Sequence, residues 1–96
     1  MDDPELMREI MDALLADTSS QMGLLETAIR QQDSTKCIRL AHYSKGACAN
    51  VGANRAADIL KTIEHKAADG EFTDCVESLA SLVHEMDLLR SESATL

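Results

Sequence analysis

Aromatic side chains are nearly missing from this 96-residue sequence, which has one Tyr, one Phe and no Trp. Chain breakers are also few, with four Gly and one Pro. The apolar set is instead Ala, Leu, Ile and Met, residues that lose little freedom in a helix, so the composition favours helices over strands. The three cysteines, Cys37, Cys48 and Cys75, are odd in number and show no CxxC spacing, which excludes a disulfide framework and points to a reducing, cytoplasmic setting. No signal peptide, membrane-spanning run, Gly-rich phosphate loop or nucleotide motif is legible.

What remains is 45% apolar, enough for a packed core in a single domain over residues 1–96. The net charge of −8 argues against nucleic acid and against contact with an anionic membrane. It is unevenly spread. Residues 36–66 hold six basic residues against two acidic ones, a local +4, so the rest of the chain carries −12. A basic centre in an acidic protein suggests a site for something anionic.

Helical periodicity runs through the whole chain. Asp3 reads as an N-cap, with Pro4 at the first helical position and Glu5 in the first turn. Leu6, Ile10, Ala13 and Leu14 begin an apolar stripe that resumes at Met22, Leu25 and Ile29. If Thr18 takes the intervening core position, this is one long helix; two abutting helices are the alternative. Asp33 or Ser34 caps a second helix that runs to about Val51, where Gly52 is a natural left-handed stop. Its inward stripe is Cys37, Leu40, Ala41, Ser44, Ala47, Cys48 and Val51. A third helix from about Ala53 places Ala53, Ala56, Ala57, Leu60, Ile63 and Ala67 on one face and ends at Gly70. The fourth carries Phe72, Val76, Leu79, Val83 and Met86, widened by Leu82 and Leu89, and frays near residues 91–96. Short polar connections imply antiparallel neighbours, hence an all-α, up-and-down four-helix bundle, its first helix extended at the N-terminus.

Within the second helix, "AHYSKGACANVGA" (residues 41–53) sets a histidine and a lysine among small residues. Positions three, four and seven past His42 share its face, and these are Lys45, Gly46 and Ala49. Ile38 and Arg39, one turn earlier, complete the candidate docking surface. Glycine inside a helix costs about 1 kcal/mol relative to alanine, so Gly46 calls for a reason, and close approach of another molecule supplies one. An imidazole is a competent covalent nucleophile. Lys45, a flexible point charge, suits a phosphoryl oxygen. No acidic pair near His42 can hold Mg²⁺, and nothing else of an enzyme is present. A nucleophile, a cation and an open approach fit a relay whose partners bring the chemistry.

These residues resemble the histidine-containing phosphotransfer (HPt) domain family, whose pattern H-x-x-K-G, five residues, then Gly-Ala is met by His42, Lys45, Gly46, Gly52 and Ala53. The resemblance extends through "ILKTIEHKAADG" and back to "AIRQQDSTKCIRLAH"; Ser44 departs from the family's usual apolar residue. It implies a phosphorelay carrier that takes a phosphoryl group on His42 from a receiver aspartyl phosphate and passes it to another receiver Asp. Lys45 would stabilise the phosphate, Gly46 would give clearance, and Glu64 would hydrogen-bond the imidazole. Response-regulator receivers and a hybrid sensor histidine kinase are the implied partners of a monomeric domain, which needs no cofactor of its own, Mg²⁺ being expected on the receiver. Two alternatives remain: a P1-like substrate domain of a chemotaxis-type histidine kinase, and a helical interaction module that is not phosphorylated. A metal site built from Cys37, His42 and Cys48 is disfavoured, because the cysteines face inward and the histidine outward. His65 and His84 read as solvated surface.

Overall fold

The computed structural model describes residues 4–94, the side chains of 11 and 92–94 apart. Four helices follow one another, α1 (Pro4–Arg30), α2 (Ser34–Asn50), α3 (Asn54–Ala68) and α4 (Phe72–Ala94), and no strand occurs among the described residues. Each connection is three residues long, which leaves consecutive helices no arrangement but antiparallel neighbours. α1 packs on α2 and α4, and α3 on α2 and α4, so the helices close into a ring around one core.

All three connections use the same device. After α1, Gln32 N–H donates to the Ile29 carbonyl and Asp33 N–H to that of Ala28. After α2, Gly52 and Ala53 donate to Ala49 and Cys48, and after α3, Gly70 and Glu71 donate to Ala67 and Lys66. These paired bonds satisfy carbonyls that the helix end would otherwise leave open, and they need one residue at positive φ. Gly52 (φ 79°) and Gly70 (φ 75°) fill that position as expected, while Gln32 (φ 55°) does so without being glycine. Asp33 then caps α2, its carboxylate accepting from the Lys36 amide at 3.1 Å.

α1 is a single helix, and Thr18 is buried in its middle as the phase argument required. Leu15, Thr18, Leu25, Ala28 and Ile29 form its inward face. Asp3, the expected N-cap, lies outside the described residues. The first turns depart from the expected stripe. Leu6 and Ile10 are each 52% exposed and Ala13 is exposed, because the helix outruns its neighbours there. Val51 is likewise exposed rather than inward, since α2 has already ended and it forms the C-cap. In α4 the inward stripe is Cys75, Leu82 and Met86, flanked by Phe72, Leu79 and Leu89. Val76 and Val83, read as inward, are exposed and line a groove against Glu26, Ile29 and Arg30 of α1. The face of α3 is as expected, from Ala53 to Ala67.

The three cysteines are free and fully buried, packing as small hydrophobes. Burial pushes the Cys37 thiol up to about 11, with Cys75 and Asp33 adding to the rise.

Thr18 Oγ1 is buried among apolar groups, and the polar group it meets is the Cys48 thiol, a weak partner whose rise on burial the hydroxyl tempers. A buried hydroxyl with only a thiol to meet regains little of the hydration it gives up, which costs about 1–3 kcal/mol when nothing is regained. Thr18→Val, which replaces the hydroxyl by a methyl group of similar size, is expected to stabilise the bundle by about 1 kcal/mol. Urea unfolding of the two proteins measures this, and a less stable valine variant contradicts it.

Candidate functional site

The faces that α2 and α3 bury are rich in small side chains, with Leu60 and Ile63 as the bulky members. Ala41, Ser44 and Cys48 on α2 and Ala53, Ala56 and Ala57 on α3 are all buried. The packing of α3 on α2 brings a side chain of α3 up beside the outer face of α2.

That side chain is Glu64, and it meets two groups at once. Its Oε1 accepts a hydrogen bond from Lys45 Nζ at 2.8 Å, and its Oε2 lies 3.3 Å from His42 Nδ1. Glu64 and Lys45 are mostly covered, their side chains 19% and 28% exposed, while that of His42 is 69% exposed. The Lys45 hydrogen bond holds the Glu64 carboxyl below its ordinary range; burial opposes this, and the charges of Lys45 and His42 reinforce it. An ionised carboxylate can only accept, so its contact with His42 favours the tautomer protonated at Nδ1. In the neutral ring the lone pair then stands on Nε2, at the solvent side.

Around the imidazole the surface is low. Gly46 and Ala49 are exposed, and a Cβ placed on Gly46 would meet nothing within 4 Å. Arg39 is exposed, and Ile38 is half-buried against the core, so it offers an edge rather than a full side chain. On the far side of His42, Tyr43 is 55% exposed and its hydroxyl donates to Asp17 of α1 at 3.3 Å.

The structure thus brings together His42, Lys45, Gly46, Ala49 and Glu64. It also changes the reading of Lys45, which is no free surface cation but half of a partly buried ion pair with Glu64. Nothing in the spacing of residues nineteen apart on different helices announces that pair. Lys61, one of the six bases of residues 36–66, lies one turn before Glu64 on α3 and is exposed. Cys37 and Cys48 are fully buried away from the exposed His42. Among the described residues no group of three or more His, Cys, Asp or Glu side chains is gathered to hold a metal ion. His65 and His84 are exposed.

Comparison with known proteins agrees with this geometry. The family model described as Hpt domain matches residues 9–92. The crystal structure of histidine-containing phosphotransfer protein B (HptB) from Pseudomonas aeruginosa PAO1 is similar in fold, with a TM-score of 0.86 at 23% sequence identity over 92% of this chain and 76% of that one. A search of curated proteins found no match.

The depressed carboxyl of Glu64 has a consequence for stability. A group whose folded pKa lies below its unfolded value contributes stability above the unfolded pKa and loses it as pH falls through the folded one. Glu64→Gln is therefore expected to be less stable than the parent at pH 7, with the gap closing in acid below the ordinary carboxylate range. Denaturant unfolding at a series of pH values tests this; a gap that does not change with pH would show that the carboxylate charge is not what Lys45 and His42 hold.

Proposed function

The chain belongs to the Hpt domain family of histidine phosphotransfer carriers in phosphorelays, and from that membership we propose that His42 is the residue that carries the phosphoryl group. The observation that supports this assignment is the Glu64 contact at Nδ1, which leaves the outward Nε2 as the nucleophile.

The transfer follows from the groups present. The Nε2 lone pair of His42 attacks the phosphorus of a receiver's aspartyl phosphate. The bond from phosphorus to the aspartyl oxygen breaks as the N–P bond forms, and the aspartate leaves as a carboxylate. The ring is left positive, with its Nδ1 proton against Glu64, where a carboxylate is best placed to stabilise that charge. A second receiver Asp reverses the sequence. Its carboxylate oxygen attacks the phosphorus, and the N–P bonding pair returns to the ring.

Lys45 is one turn from His42 on a flexible stem and carries the charge that attracts the phosphoryl oxygens. While His42 is unmodified it rests on Glu64; the phosphoryl group, with nearly two negative charges, competes for it. The domain supplies a nucleophile, its orienting carboxylate and one cation. The receiver supplies Mg²⁺ and the in-line acceptor or donor, so this chain acts without a cofactor, as a monomer and in a cytoplasmic relay. No described helix is long and apolar enough to cross a membrane.

Two variants test the assignment. His42→Gln is expected to take no acid-labile label from a phosphorylated receiver while its circular dichroism stays helical. Label persisting on another residue would refute the role of His42. Gly46→Gln tests the clearance. Position 46 is an exposed helix interior with open space around it, so helix propensity predicts a gain in stability of up to about 1 kcal/mol. The new side chain projects where the receiver must come, and small misplacements of the reacting groups cost rate steeply. The variant should melt higher and transfer more slowly. A variant that transfers as fast as the parent would remove Gly46 from the docking surface.

A further inference from the structure

Charge pairing on this molecule is selective. Arg30 pairs with Glu26, Lys45 with Glu64, Lys66 with Glu71 and Asp74, and Arg90 with Asp87. Lys36, Arg39, Arg55 and Lys61 have no ion-pair partner among the described residues, although the chain holds 17 carboxylates against nine bases. All four lie in the basic segment 36–66. Two of them flank the site directly. Arg39 is one turn before His42 on its face of α2, and Lys61 is one turn before Glu64 on the face of α3 that meets α2. Both are exposed. Arg55 lies elsewhere, lining the cleft between α3 and α4 with Asp58 and His84.

We propose that Arg39 and Lys61 are kept without counter-ions to meet carboxylates on the receiver, so that this face selects and orients its partner by charge. The inference rests on His42 being the phosphoryl carrier, and it adds what recognises the protein that approaches. A receiver that presents an Asp and holds a divalent cation must line its pocket with hard oxygen ligands, chiefly carboxylates, so the approaching surface is acidic. A chain of net charge −8 repels such a surface everywhere except at a patch of the opposite sign. Two unpaired cations beside the imidazole make that patch, and the field of the whole molecule turns the receiver toward it. A surface ion pair within the chain would contribute little to stability, so leaving these side chains unpaired costs the fold almost nothing.

The test uses the full chain with the receiver domain that phosphorylates it fastest, chosen from a panel. Second-order transfer rates are measured across a range of salt for the parent, Arg39→Gln, Lys61→Gln and, as control, Arg55→Gln. Labelling by phosphoramidate, a small donor that needs no docking, is run beside it. The expected result is a loss of about threefold or more at low salt for Arg39→Gln and for Lys61→Gln, a flatter salt dependence, and unchanged phosphoramidate labelling. Arg55→Gln should follow the parent. Equal losses in all three variants would mean that net charge alone matters, and unchanged salt dependence in all would mean that charge does not recognise the partner; either overturns the proposal. Slower phosphoramidate labelling in Arg39→Gln or Lys61→Gln would place them in the chemistry instead and overturn it too. If no receiver in the panel labels the parent while phosphoramidate does, the relay assignment itself fails, and this inference with it.

Discussion

Everything at the site depends on the packing of α3 against α2, which carries Glu64 to both His42 and Lys45. α2 buries Ala41, Ser44 and Cys48, and the buried face of α3 runs from Ala56 and Ala57 through Leu60 and Ile63 to Ala67, with Glu64 at its edge. Three ionisable groups from two helices are held in one geometry because the packing beneath them is tight. Polar arrangement and core composition are one design, read at two depths.

That arrangement settles several tasks with one carboxylate. Glu64 selects the tautomer of the imidazole, restrains Lys45 and supplies the negative charge that an alkylated or phosphorylated ring would want. Because it is mostly covered, its interactions are less screened by salt than those of the exposed pairs on the bundle's flanks. The site is assembled before any partner arrives, so approach of a second protein need not reorganise it.

The helices and their stops were legible because each rests on a local rule. Asp33 caps, Gly52 and Gly70 take positive φ, and the alanine face of α3 repeats at helical spacing. The outward histidine and the flat surface around it were legible too, since His42, Lys45 and Gly46 lie within two turns of one helix. What escaped was set by neighbours. In α4 the apolar residues fit two phases, one through Val76 and Val83 and one through Cys75 and Leu82; only the position of α1 decides between them. The exposure of Leu6 and Ile10 depends on where the other helices end, which no property of those leucine and isoleucine side chains encodes. Gln32 stands where a glycine would have marked the turn. The Lys45–Glu64 pair joins residues on two helices, beyond the range of any spacing argument, and the HPt resemblance drew attention to Glu64 only as a partner for the imidazole.

The three-residue connections carry a kinetic consequence. Most contacts in the bundle join helices that are adjacent along the chain, so little loop-closure entropy opposes their formation. Bundles of this kind fold in microseconds to milliseconds, and the α2–α3 hairpin closes over a connection of only three residues. The docking of α1 on α4 is the long-range step, marked by the bond from Arg90 to Ser19 across 71 positions of sequence. His42 and Glu64 both belong to the hairpin. The half of the molecule that holds the His42–Glu64–Lys45 cluster is therefore the part whose assembly is local, while closure of the ring falls to helices that contribute nothing to that cluster.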